Sequence, residues 1–243
     1  MPTDLHSPSA LAAWIEDFRA SGPYPCKLRC GRTTAMPGLC DACGAADDAL
    51  RAAEAIAKRC ASAGIPERFR WATGLDCPEL RARVKLPAAI DAAKRIDPNV
   101  SAVFFGAAGS GKTSLACAWL RGRIESGQGG LFVPARAFRN LEKDRLDYDV
   151  THKAIGARVL VIDDVGAELA GAQAGGHLAA QRAEGVRHVI ETRHDRDRPT
   201  VITTGFPGKA LAELYGSGVA RRFTEDARRA GQIIRCDVPT GDQ

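Results

Sequence analysis

The apolar positions of the chain change rhythm along its length. Near the amino terminus Ser7-Pro8 has the form of a helix start, and Leu11, Trp14, Ile15 and Phe18 recur at i, i+3, i+4 and i+7, so a helix with one apolar stripe is expected. A second stripe, Leu50, Ala53, Ile56, Ala57 and Cys60, predicts another amphipathic helix, ended by Gly64 and Pro66. From about Val100 short β-rich runs take over. The expected strands are Ala102–Phe105, Gly130–Val133, Arg158–Asp163, Thr200–Thr204 and Gln232–Cys236, with helical stretches between them, the first being Ser114–Ile124. Such an alternation gives an α/β fold whose parallel sheet is covered on both faces.

Composition keeps this picture and removes others. The chain has 243 residues, 45% of them apolar and 26% charged, with 25 Gly and 13 Pro, which excludes a collagen, a coiled-coil rod and a fully disordered tail. At roughly 150 residues per domain, the length suggests one full domain and a smaller module. The longest apolar stretches, such as Val159–Ile162, fall far short of the ~20 residues of a membrane helix. Asp4, Glu16 and Asp17 interrupt the amino terminus, which has no apolar signal core, so a cytoplasmic location is expected. Lys and Arg number 34 against 29 Asp and Glu, a net charge of +5 that permits contact with nucleic acid without requiring it.

In a reducing compartment the 8 cysteines read as metal ligands or buried thiols. Cys26 and Cys30 are separated by three residues and Cys40 and Cys43 by two, with the turn formers Gly31, Pro37 and Gly38 between the pairs. Two close thiolate pairs on tight turns supply the tetrahedral set that Zn2+ takes, without needing a large core. Four thiolates leave no open position for water, so a structural site is expected. Cys60, Cys77, Cys117 and Cys236 stand alone and are expected to be small buried hydrophobes. The stripe at Leu11–Phe18 either packs on the zinc module or docks on another protein.

The first expected strand runs into Gly106, Ala107, Ala108, Gly109, Ser110, Gly111, Lys112 and Thr113, with Ser114 opening the next helix. This is the full phosphate-binding loop pattern, set between a strand and a helix. Its glycines let successive N–H groups turn inward on phosphate oxygens, and the helix offers its positive end to the same anion. Lys112 is expected at the β- and γ-phosphates of ATP and the Thr113 hydroxyl at Mg2+. The strand that follows Arg158 delivers Asp163 and Asp164 at its carboxyl end. Either this pair ends a strand and starts a turn, or Asp163 holds Mg2+ and Asp164 orients and deprotonates the attacking water. Arg68-Phe69-Arg70-Trp71 interleaves basic and aromatic residues as a base-stacking segment does. His152, His177 and His188 show no shared ligand spacing and are expected to be ordinary helix residues.

The ordered segments GAAGSGKTS, VLVIDDVGAE, HVIETRHDRDRPTVITTGFP and VARRF together resemble the AAA+ ATPases of the DnaC-type helicase loaders and the related IstB-type transposition helpers. Ala63–Phe69 is similar to the segment before their ATPase core, and the resemblance spans about Gly64 to Val238. The four cysteines in front look like the amino-terminal module of the DnaC-type loaders, which the IstB-type helpers usually lack. The resemblance implies a three-layer αβα P-loop core of AAA+ type over residues 84–243, with no room for a helical lid. Before it come a linker helix and adenine-pocket segment, 48–83, and a helix plus zinc module, 1–47.

The same resemblance puts the nucleotide between subunits of a self-assembly, with Arg222, or Arg221 beside it, as the arginine that completes the neighbour's site. Where the family has a sensing Asn, Thr203-Thr204 is followed by Gly205, leaving the shorter Thr204 hydroxyl for the γ-phosphate. Asp164 is one methylene shorter than the glutamate of most AAA+ proteins, and both departures suit a slow switch. Arg193 falls in the family's basic segment and is expected either on a subunit or nucleic-acid surface or in a solvated turn. The implied function is an ATPase that loads a replicative DnaB-type helicase onto single-stranded DNA. The alternatives are an ATPase helper of a transposase, and a zinc-containing, ATP-gated DNA-binding adaptor with little turnover.

Overall fold

The computed structural model describes residues 24–28, 30–34, 38–140, 145–169 and 177–238. The helix expected over Leu11–Phe18 lies outside them. The chain divides into two compact units, residues 1–56 and 57–243. In the first, strands β1 (Tyr24–Pro25) and β2 (Thr33–Thr34) pair antiparallel, with Tyr24 opposite Thr34. The Cys26 N–H donates to Arg32 O at 2.9 Å and the Lys27 N–H to Gly38 O at 2.8 Å, so main-chain bonds draw the turns together.

Helix α1 (Asp41–Ser62) starts well before the predicted apolar stripe, with Asp41 at the positive end of its dipole. It stops where the sequence says it should. Gly64 adopts φ 80°, the Ile65 N–H reaches Cys60 O at 3.1 Å and the Gly64 N–H reaches Ala61 O at 3.0 Å, the two bonds of a Schellman end. A Cβ on Gly64 would lie 2.6 Å from Phe132 O, so only glycine lets the helix end meet the sheet. The Phe132 N–H donates to Ala63 O at 2.7 Å and fixes the meeting.

The second unit continues with α2 (Pro78–Arg83) and α3 (Ala88–Lys94), then strand β3 (Ala102–Phe105), α4 (Lys112–Glu125) and β4 (Gly130–Pro134). A small hairpin, β5 (Arg139–Asn140) and β6 (Arg145–Leu146), leads to α5 (Tyr148–Gly156) and β7 (Val159–Val165). There follow α6 (His177–His194), β8 (Thr200–Thr204), α7 (Gly208–Tyr215), α8 (Ser217–Arg229) and β9 (Ile233–Arg235). The central sheet is wholly parallel, in the order β4-β7-β8-β3-β9. Alternate strand residues serve opposite faces. Val103, Leu160, Ile162 and Ile202 pack with Val186 and Val189 of α6, Leu211 of α7 and Val219 of α8. Helix α4 packs on β3, β4, β7 and β8, and α2 and α3 pack on α4. Among the described residues no helix is long and apolar enough to cross a membrane.

Two strands, Ala102–Phe105 and Thr200–Thr204, keep both of their expected ends; β4 ends one residue later, β9 is one residue shorter at each end, and β7 shifts at both. Strand β7 runs on to Val165, carrying Asp163 and Asp164 inside it, because its pairing with β8 resumes at Val165 and Thr204 after an irregularity that begins at Ile162.

Arg193 is neither on a surface nor in a solvated turn: it has no exposed area. Its guanidinium donates to Ala154 O at 2.9 Å, Ala157 O at 2.6 Å, Pro199 O at 2.6 Å and Thr200 Oγ1 at 2.9 Å. Carbonyls at the negative end of α5 accept this cation, so the end of one helix is clamped to the start of β8. Burial pulls its pKa down to about 10, which still leaves it charged at neutral pH.

Candidate functional site

Strand β3 ends at Phe105 and α4 begins at Lys112, and the six residues between them form the loop. Gly109 and Gly111 adopt φ 73° and 93°, a region that side chains with a Cβ avoid. At Gly111 a Cβ would stand 2.9 Å from Arg83 O and from Val84 Cα, so the exit of α2 lies directly against the loop. The Lys85 N–H donates to Ser110 O at 3.2 Å across this contact. Lys112 is 8% exposed, and its ammonium donates to Gly106 O at 2.7 Å and Ala107 O at 2.9 Å, which places the charge across the loop's mouth. Ser110 Oγ is buried without a hydrogen-bond partner among the described residues. A lysine over a glycine-turned loop that runs into a helix start suits a polyphosphate.

The Thr113 hydroxyl, on the first turn of α4, donates to Asp163 Oδ1 at 2.9 Å, joining the loop to β7. Thr203 Oγ1 of β8 donates to the same oxygen at 2.7 Å and accepts the Asp164 N–H at 2.8 Å. Burial pushes the Asp163 carboxyl above the usual carboxylate range, against the pull of the two threonine hydroxyls, and the Asp164 charge raises it further. A buried carboxylate beside a hydroxyl is an oxygen pair that a hard divalent cation would relieve, so Thr113 and Asp163 fit Mg2+. Asp164 has φ 58°, a left-handed conformation rare outside glycine, and its side chain is exposed. The irregular pairing of β7 thus turns one carboxylate inward and the next outward.

Thr204 is placed differently from the expectation for it. It is fully buried; its hydroxyl donates to Val165 O at 2.9 Å and accepts the Phe206 N–H at 3.1 Å, so both functions are committed to main chain. Thr203 is the hydroxyl that joins the acidic cluster. Gly205 has space, since a Cβ there would meet only Gly106 O at 3.7 Å.

Asp237 is a further residue at the loop, and sequence reading missed it. Its Oδ2 accepts the Ala107 N–H at 2.7 Å and its Oδ1 accepts Arg235 Nε at 2.9 Å, and these partners, led by Ala107, hold its carboxyl below the usual range. The signal lies in strand register: Phe105 pairs with Arg235, so two residues on, Ala107 faces Asp237.

Arg222 does not approach this loop in its own chain. It lines a cleft of about 340 Å3 with Ser101, Ile190 and Thr200, at the amino-terminal end of the strands, and its Nη1 stands 3.4 Å from Glu191 Oε1. Arg221 is exposed and pairs with Glu225 at 3.5 Å. In the Arg68–Trp71 segment, Arg83 stacks 4.3 Å from the Trp71 ring centre, Arg68 covers Phe69, and Arg70 O accepts from Arg121 at 3.2 Å. His152 and His188 lie on helices α5 and α6.

The second cluster stands in the first unit. Cys26, Cys30, Cys40 and Cys43 bring their sulfurs within 4.8 Å of one another, and Cys30 Sγ and Cys40 Sγ are 3.6 Å apart. A tetrahedron with Zn–S bonds of 2.3 Å has edges of about 3.8 Å, so the set fits Zn2+. The Cys26 thiol is pulled down to about 6, first by the Cys40 N–H on its sulfur, while the three neighbouring sulfurs push Cys43 up to about 12. Four clustered sulfurs cannot all ionise without a cation among them. Cys60, Cys77, Cys117 and Cys236 are all buried, as expected.

No family model matches the chain, and no curated protein matches it. Several solved structures are similar to it. The DnaC helicase loader shares 20% identity over 72% of this chain and 100% of its own, with a TM-score of 0.49. DnaI shares 20% over 63% and 84%, with a TM-score of 0.45. Domain III of the Thermotoga maritima replication initiation protein DnaA shares 18% over 72% and 69%, with a TM-score of 0.49. The chain itself is a five-stranded parallel sheet flanked by helices, with the phosphate-binding loop pattern after β3 and the acidic pair on β7, and a four-cysteine cluster in its first unit.

Proposed function

We propose that this protein is an Mg2+-dependent ATPase that works as an assembly switch, loading a replicative DnaB-type helicase onto single-stranded DNA. The observation that carries the ATPase reading is the junction of Thr113, Asp163 and Thr203 at the foot of the loop, with Asp164 turned outward beside it. The loop N–H groups and Lys112 bind the phosphates, and Mg2+ on Thr113 and Asp163 would offset charge on the β- and γ-phosphates. Asp164 takes a proton from the attacking water as its oxygen bonds to the γ-phosphorus and the bond to the β–γ bridging oxygen breaks, giving ADP and phosphate. Arg222 of one copy serves the site of the next, in keeping with its distance from its own loop. The helicase partner rests on the motif order and on the cysteine module in front, which would hold Zn2+ and grip the helicase. Such a protein acts in the cytoplasm.

One observation favours a second reading, an ATP-gated DNA-binding adaptor with little turnover. Gly205 has no side chain and the Thr204 hydroxyl is engaged, so no polar side chain from this turn is free to sense the γ-phosphate. Steady-state phosphate release with and without single-stranded DNA separates the two. Turnover above that of Lys112→Ala supports the switch, and turnover at that background supports the adaptor. Capture of a hexameric helicase by the full chain, and not of a transposase, tests the partner.

A further inference from the structure

Beyond Asp164 the chain is held by side chains that the ATPase chemistry does not use. Gly166 has φ 105°, and a Cβ there would stand 2.3 Å from the ring of Phe206. Its N–H donates to Glu168 Oε2 at 2.9 Å, and the other carboxyl oxygen accepts the hydroxyl of Tyr215. Glu168 is 8% exposed and Tyr215 2%, so an acid has been taken into the interior, which costs free energy unless its contacts are needed. Burial holds the Glu168 carboxyl above its usual range against the pull of Tyr215 and Gly166.

Tyr215 is the last residue of α7, and only Gly216 separates it from α8. Gly216 has φ 88° and its carbonyl accepts the Ala220 N–H at 3.0 Å, so the position of Tyr215 sets the first turn of α8. Arg222 lies on the second turn. An unbroken series of close contacts therefore runs from the acidic end of β7 to the helix that carries Arg222 toward the opposite end of the strands.

We infer that Glu168 and Tyr215 form a latch of positioning residues, which ties the acidic end of β7 to helix α8 and so sets the arginine that each copy offers to the next. The inference rests on the reading of Arg222 as a residue acting on a neighbouring copy, and its test keeps the two apart. Tyr215→Phe removes one hydroxyl and keeps the ring, while Glu168→Gln keeps the shape and removes the acid. Each variant should bind Mg-ATP within about twofold of wild type by calorimetry, since the loop is untouched, and lose about tenfold in turnover.

Mixing then decides. Lys112→Ala lacks a working nucleotide site but offers an intact Arg222, so adding it to Tyr215→Phe should return turnover to the intact sites. A parallel mixture of Arg222→Ala with Lys112→Ala should do the same. If that parallel mixture stays inactive, the reading of Arg222 fails and the latch with it. If it recovers while the Tyr215→Phe mixture does not, the latch alone is overturned. Unchanged turnover in both latch variants, or loss of Mg-ATP affinity in both, also overturns it, the latter by making the pair a support of its own loop.

Discussion

The two units hold their cysteines in opposite ways. In the first, four sulfurs gather within 4.8 Å of one another, and Cys26 is drawn toward thiolate. In the second, Cys117 and Cys236 are 1% and 0% exposed, and burial raises both thiols, Cys236 to about 12. The first environment asks for a cation, and the second excludes one. The same residue type gathers into a set that fits Zn2+ in one unit and packs as a small apolar group beside the sheet in the other.

Metal removal breaks this comparison most directly. A strong chelator should abolish the pairing of β1 with β2 and the gathering of the four cysteines, since structural Zn2+ sites contribute on the order of 10 kcal/mol to such modules. The core should keep its melting temperature and its Mg-ATP affinity, which paired calorimetry and amide exchange would show; a single joint transition would contradict the division into units. Within the core, Asp164→Asn should lower phosphate release by about 100-fold with nucleotide affinity and zinc content unchanged. Cys117→Ala should leave zinc content at its wild-type value and cost about 1–2 kcal/mol in denaturant unfolding, whereas Cys40→Ser should remove the metal.

The smallest effect is one of pH. The folded-state pKa of Glu168 lies above its unfolded value, so the stability it contributes is fully present below the unfolded pKa and is lost as pH rises through the folded one. Glu168→Gln has no such dependence. Urea unfolding at several pH values should therefore show wild type losing stability relative to Glu168→Gln as pH increases, and parallel curves would mean that Glu168 is not held neutral.

The sequence carried the fold where glycine and proline mark the joints. Ala102–Phe105 ends at Gly106 and Thr200–Thr204 begins after Pro199, and both strands have the ends their residues announce. The phosphate loop was legible for the same reason, because its shape is written in glycines at fixed offsets. What escaped depends on register between distant segments. Asp237 meets Ala107 only because β9 lies beside β3, and Thr203 rather than Thr204 faces Asp163 only because β8 lies beside β7. Arg193 looked like a surface cation since nothing local shows that Ala154 and Ala157, more than 35 residues away, offer it their carbonyls. The expected strand stops at Asp163 because a carboxylate pair resembles a terminator, and the left-handed backbone of Asp164 has no signature in a single chain.

The empty volume at Gly205 has its own consequence. Among the described residues a Cβ there would meet only Gly106 O, at 3.7 Å, so the packing does not demand a bare α-carbon. Under the proposed ATPase reading, a side chain installed at that single site resets the tempo of phosphate release while the scaffold stays as it is.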